Sequence, residues 1–87
     1  MGNRKYIIEI LSVSDKIASI QCDSFQIKAD VLELFLHKIY AKEKKVEVTT
    51  IPIDTINRVW VYDFEKGWKY PKYNEELTNT LRMFLAK

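Results

Sequence analysis

Histidine, cysteine, glycine and proline are nearly missing from this chain, which has one His, one Cys, two Gly and two Pro in 87 residues. Each scarcity excludes a chemistry. Cys22 alone rules out an internal disulfide, so stability does not depend on oxidising conditions, and it reads as a small buried hydrophobe rather than a reactive thiol. Structural metal sites need three or four Cys or His ligands, which are not present. Ser-His and Cys-His hydrolases set an imidazole beside the nucleophile, whereas His37 sits in a segment rich in Leu and Lys with no nucleophile motif near it, and reads as a surface or strand residue. Gly67 stands alone, so no glycine-rich loop exists to cradle a phosphate. Asp15, Asp23, Asp30, Asp54 and Asp63 fall mostly at strand ends, where turn and cap chemistry accounts for them. The expectation is a protein that is not an enzyme and uses no cofactor.

What the chain does contain is an ordinary globular composition, 47% hydrophobic and 30% charged, with a net charge of +2. That is too apolar and too near neutrality for disorder, and far from the basic excess of an obligate nucleic-acid binder. A chain this short buries only roughly 60–65% of the surface its unfolded form exposes, so its core is thin. Without a linker or a low-complexity tract, residues 1–87 read as a single domain. The apolar run "YIIEIL" is short and interrupted by Glu9, so neither a signal peptide nor a membrane span is expected and the cytoplasm is the predicted location.

Residues 5–13, "KYIIEILSV", are dense in β-formers, and "SDK" is turn chemistry before "IASIQC", which predicts a hairpin. In "DSFQIKAD", Phe25, Ile27 and Ala29 alternate with polar residues as in a half-buried third strand. "VEVTTIPID" and "INRVWVYDF" are again β-rich. Pro52 cannot donate a ladder hydrogen bond and favours an edge or a bulge, and Asp54 and Thr55 offer a turn between the two.

Residues 30–43 carry two patterns. Asp30 with Glu33 has capping-box spacing, and Leu32, Phe35, Leu36 and Ile39 share a helical stripe; Leu32, Leu34 and Leu36 also alternate as a strand would. A strand is preferred because "VEVTTIPID" supplies it with a neighbour through a short charged turn. A helix over 30–43 is the alternative, and in that case Leu77, Leu81 and Phe84 would become candidates for a partner surface. The order "ADVLELFL", a charged loop, then "VEVTTIPIDTINRVWV" resembles the meander of small bacterial and phage domains of PH-like and Sm-like type, over about half of the chain. That resemblance implies a β-meander or partly closed barrel and carries over no individual functional residue.

At the C-terminal end, Asn74 is a good N-cap, Glu75 and Glu76 suit a first turn, and Leu77, Leu81, Phe84 and Leu85 form an apolar stripe. An amphipathic helix over 75–86 is predicted, as a lid over one sheet face. The fold class is therefore α+β, a small antiparallel meander or partly closed barrel with a C-terminal helix.

Between meander and helix lies "NRVWVYDFEKGWKYPKY", with six aromatic rings over residues 57–73. Alternation puts Trp60, Tyr62 and Phe64 on one face of a strand and Val59, Val61 and Asp63 on the other. "FEKGW" reads as a tight hairpin with Gly67 left-handed, returning Trp68 and Tyr70. Trp60 and Phe64 are expected to serve the core under the helix, while Trp68, Tyr70 and Tyr73, interleaved with Lys66, Lys69 and Lys72, suit an exposed binding segment. The expected binding residues are Trp60, Tyr62, Lys66, Trp68, Lys69, Tyr70, Lys72 and Tyr73. A protein partner is favoured, for a short phage- or mobile-element-encoded inhibitor or regulator of a host enzyme or defence system. The alternative is single-stranded nucleic acid, with rings stacking on bases. No membrane partner is expected, and the oligomeric state stays open, a homodimer included.

Overall fold

The computed structural model describes residues 5–40, 43–64 and 71–85. These form strands β1 (Tyr6–Ser12), β2 (Ile17–Cys22), β3 (Ser24–Lys28), β4 (Val31–Tyr40), β5 (Glu43–Pro52), β6 (Ile56–Phe64) and β7 (Pro71–Tyr73), and the helix α1 (Glu75–Leu85). The predicted α+β class holds. All the pairings are antiparallel and fall into two sheets, ordered β2-β1-β6-β7 and β3-β4-β5.

Within the segment 30–43, Val31–Tyr40 takes the strand reading and the alternative helix does not form there. Leu32 and Leu34 are buried at a period of two, and Glu33 accepts a hydrogen bond from Gln26 Nε2 across the β3/β4 pair at 2.7 Å. Asp30 sits in a turn with Ala29, joining Lys28 to its partner Val31. Ala29 takes φ 56°, a left-handed angle where a Cβ costs about 1–2 kcal/mol. The other turn with a left-handed residue is at Asp15, φ 63°, a residue type that tolerates the angle; it is held by Asp15 N–H donating to Ser12 O and Lys16 N–H to Ser12 Oγ. Pro52 ends β5, and a single 3-10 turn, Ile53–Thr55, leads into β6, with Thr55 Oγ1 donating to Pro52 O at 2.7 Å.

The core lies between the sheets. Ile8 and Ile10 from β1, Cys22 from β2, Leu32 and Leu34 from β4, Val59 and Val61 from β6 and Leu81 from α1 form one buried cluster. On β6 the residues at the core are therefore the valines, and the rings of Trp60, Tyr62 and Phe64 take the opposite face, only half-buried. This corrects the expectation that Trp60 and Phe64 fill the core: pairing with β1 sets Val61 beside Ile8 and Val59 beside Ile10 on the buried face, which turns the rings between them outward.

The described strands form two sheets and no closed barrel, and the outer edge of β6 shows how one of them ends. β7 pairs only with Tyr62, Asp63 and Phe64. Beyond it, the chain turns into α1 and covers the same edge with side chains. Asn74 N–H donates to Val61 O at 2.8 Å, Val61 N–H donates to Thr78 Oγ1 at 2.8 Å, and Arg82 Nε donates to Val59 O at 2.9 Å. A strand edge whose backbone groups are already satisfied does not pair onward. The predicted cap is present as well, with Leu77 N–H donating to Asn74 Oδ1 at 2.9 Å.

Thr78 is fully buried, so its hydroxyl is a structural requirement. Thr78→Val keeps the shape but strands the Val61 N–H, and we expect a loss of about 1–3 kcal/mol in urea denaturation, most of it recovered in Thr78→Ser. A Thr78→Val protein as stable as wild type would remove the edge-capping role. In the opposite direction, Ala29→Gly relieves the left-handed strain and should raise stability by about 1 kcal/mol on the same assay.

Candidate protein-binding surface

Strand alternation makes the outer face of the four-stranded sheet a ring-bearing surface. Glu9 lies opposite Trp60, Ile7 opposite Tyr62, Leu11 opposite Arg58, and Tyr62 is in turn opposite Tyr73. The Tyr62 and Tyr73 rings meet edge to face, centroids 5.7 Å apart at 61°. Tyr73 is 47% exposed, and Ile17, which pairs with Leu11 at the far side of the face, is 66% exposed. Trp60 is fixed from the helix side: the Arg82 guanidinium lies 5.6 Å from its ring centroid while its Nε holds Val59 O. Arg82 thus reaches round the edge of β6 and sets one border of the surface.

Of the expected binding residues, Trp60, Tyr62 and Tyr73 come together on this face. Lys72 precedes Tyr73 on β7 and pairs with Asp63, so alternation turns it to the opposite face, away from the rings. Lys66, Trp68, Lys69 and Tyr70, with the predicted Gly67 hairpin, lie outside the described residues. Sequence reasoning missed Arg82, Arg58, Ile7 and Ile17. The strand pattern of "YIIEIL" contained Ile7, but Arg82 meets Trp60 only through the path of α1 along β6.

A second apolar feature is a groove of about 280 Å³ between β3 and α1, lined by Phe25, Ile27, Leu77, Leu81 and Phe84 among others. Phe84 is 65% exposed at its rim, which corrects the expectation that the whole stripe of α1 is a lid. Thr78 and Phe84 lie on opposite flanks of Leu81 around the helix, so drawing Thr78 onto β6 rolls Phe84 outward.

Two groups with chemical potential serve the fold. Asp23 Oδ2 accepts the His37 backbone N–H at 2.6 Å and lies 3.0 Å from His37 Nδ1, tying the start of β3 to β4 where their pairing ends. Its Oδ1 is buried with no hydrogen-bond partner. Cys22, next in sequence, points into the core, and burial, with a smaller contribution from the Asp23 charge, pushes its thiol up to about 11. No cluster of three or more His, Cys, Asp or Glu suited to a metal ion occurs among the described residues, and no described helix is long and apolar enough to cross a membrane.

No known protein family, curated protein or solved structure matches this chain.

The buried thiol has a measurable consequence. Because its folded pKa lies above the ordinary value of 9.0, the stability it contributes is complete below about pH 9 and is lost as pH rises toward 11. Cys22→Ala should therefore flatten the decline of stability over that range, read by urea denaturation at stepped pH. At neutral pH the native thiol should resist a disulfide reagent that reacts promptly in urea.

Proposed function

We propose that the protein is a non-enzymatic protein-binding module that docks a partner on the outer face of its four-stranded sheet, around Trp60, Tyr62 and Tyr73. The observation that carries this reading is the row of amphipathic rings turned away from the core, with the valines between them turned inward. Tyr and Trp supply large contact area at low cost in conformational entropy, and they are the usual anchors of protein interfaces. Ile7 extends the apolar surface beside Tyr62, and Ile17 adds an exposed apolar side chain at the far side of the face. The finer reading is a small cytoplasmic regulator encoded by a phage or another mobile element, which inhibits a host enzyme or defence protein by occupying its surface. Its support is compositional: a sequence rich in lysine and isoleucine, without the motifs of a cofactor enzyme.

Single-stranded nucleic acid is the second reading, favoured by rings lying on an open sheet next to Arg58 and Arg82. The placement of charge ranks it lower. Among the described residues, Lys72 faces away from the rings and Arg82 is committed to Trp60 and to Val59 O, which leaves Arg58 to follow phosphates.

The test is capture from the source cell with the wild-type protein and with a Tyr62→Ala, Tyr73→Ala variant whose folding is verified. A partner of this face should be lost, with affinity falling about thirty-fold or more. A partner retained undiminished would sink the site. Submicromolar binding to single-stranded DNA or RNA that weakens steeply with salt would instead promote the nucleic-acid reading.

A further inference from the structure

The three-stranded sheet has a free edge whose charge pattern selects one companion. β4 and β5 are ten residues each, whereas β3 covers β4 only from Val31 to Phe35, so the distal part of this hairpin forms an arm beyond it. Residues 43–50 of β5 are all exposed, with Val46 and Val48 at 50% each. At the base of the arm Ile53 N–H donates to Asp30 O at 2.9 Å. Facing pairs in an antiparallel ladder alternate between bonded and non-bonded. Counted from that bond, Ile51, Thr49 and Glu47 direct their backbone groups toward β4, and Lys44, Val46, Val48 and Thr50 direct theirs outward.

We propose that two copies of the chain pair antiparallel through this outer edge of β5, with Val46 on the twofold axis, joining their three-stranded sheets into one. A symmetric pairing must set outward-facing residues against one another, which leaves few registers. With Val46 on the axis, Lys45 lies opposite the partner's Glu47 and Glu47 lies opposite the partner's Lys45. Both are non-bonded pairs, in which side chains approach most closely. Val46 meets the partner's Val46, and the stem of Lys44 crosses the partner's Val48. Moving the axis to Lys45 opposes two lysines, and moving it to Glu47 opposes two glutamates. With Val48 on the axis, Lys44 meets the partner's Pro52, which has no N–H to offer. Edge lysines ordinarily deter strand pairing. In this edge they deter other strands and other registers, while the glutamate two residues along accepts a second copy. The joined sheet also runs the Phe35, Val46 and Val48 side chains of both copies into one stripe on its outer face.

Sedimentation equilibrium of the full chain tests this. Wild type should dimerise, more weakly as salt rises; Lys45→Glu and Glu47→Lys alone should each raise the dissociation constant about ten-fold or more. The double exchange Lys45→Glu, Glu47→Lys should restore dimerisation. Val46→Pro removes an outward N–H and none within the β4/β5 ladder, so it should abolish the dimer while circular dichroism remains that of the fold. A wild-type protein monomeric at all concentrations, single variants that dimerise as well as wild type, or a double exchange that fails to recover would each overturn the proposal. The ring face plays no part in this contact, so failure of the Tyr62, Tyr73 test leaves the dimer untouched, and the converse holds.

Discussion

The hydrogen bonds between Thr78 and Val61 hold the placement of everything around them. β6 is central to the larger sheet, yet β7 is too short to cover its outer edge, and an exposed ladder of backbone groups is both unstable to burial and open to misassociation. α1 closes that edge with side chains instead of a strand: the Thr78 hydroxyl receives the Val61 N–H, and Arg82 reaches Val59 O. The position and roll of the helix follow. Leu81 enters the core, Arg82 is carried over Trp60, and Phe84 turns out toward the groove beside β3. One buried hydroxyl therefore couples sheet termination, core closure and the border of the ring-bearing face.

The core that results is aliphatic and thin, made of Ile, Leu and Val with Cys22, while the large rings of β6 lie outside it. A small domain gains most from burying its largest side chains. Leaving Trp60, Tyr62 and Tyr73 on a sheet surface forgoes part of that gain, which is the physical ground for giving the face a binding role. The edge of β5 is on the other sheet, so the proposed partner on the ring face and the proposed second copy on the arm would not compete for the same residues.

Local rules made much of this legible. The hairpin at Ser14 to Lys16, the turn at Asp54 to Thr55 that leads from β5 into β6, the cap at Asn74 and the helix after it each rest on residues adjacent in sequence. The choice of strand over helix for 31–40 was also readable, because Leu32 and Leu34 alternate and the following segment could pair with them. What stayed hidden depended on which face of β6 met the core. Both faces of "VWVYDF" are apolar, so periodicity alone could not assign them, and the heavier rings pointed toward the wrong choice.

The sequence by itself determined the order of β1 to β6, the antiparallel class and the amphipathic end helix, since these follow from periods of two and 3.6 and from turn and cap residues a few positions apart. Only the tertiary structure decided that the strands divide into two sheets, that Val59 and Val61 face inward and that Arg82 meets Trp60. These depend on hydrogen bonds and packing between segments distant along the chain. Such contacts form only when the edge of one element is satisfied by the side chains of another.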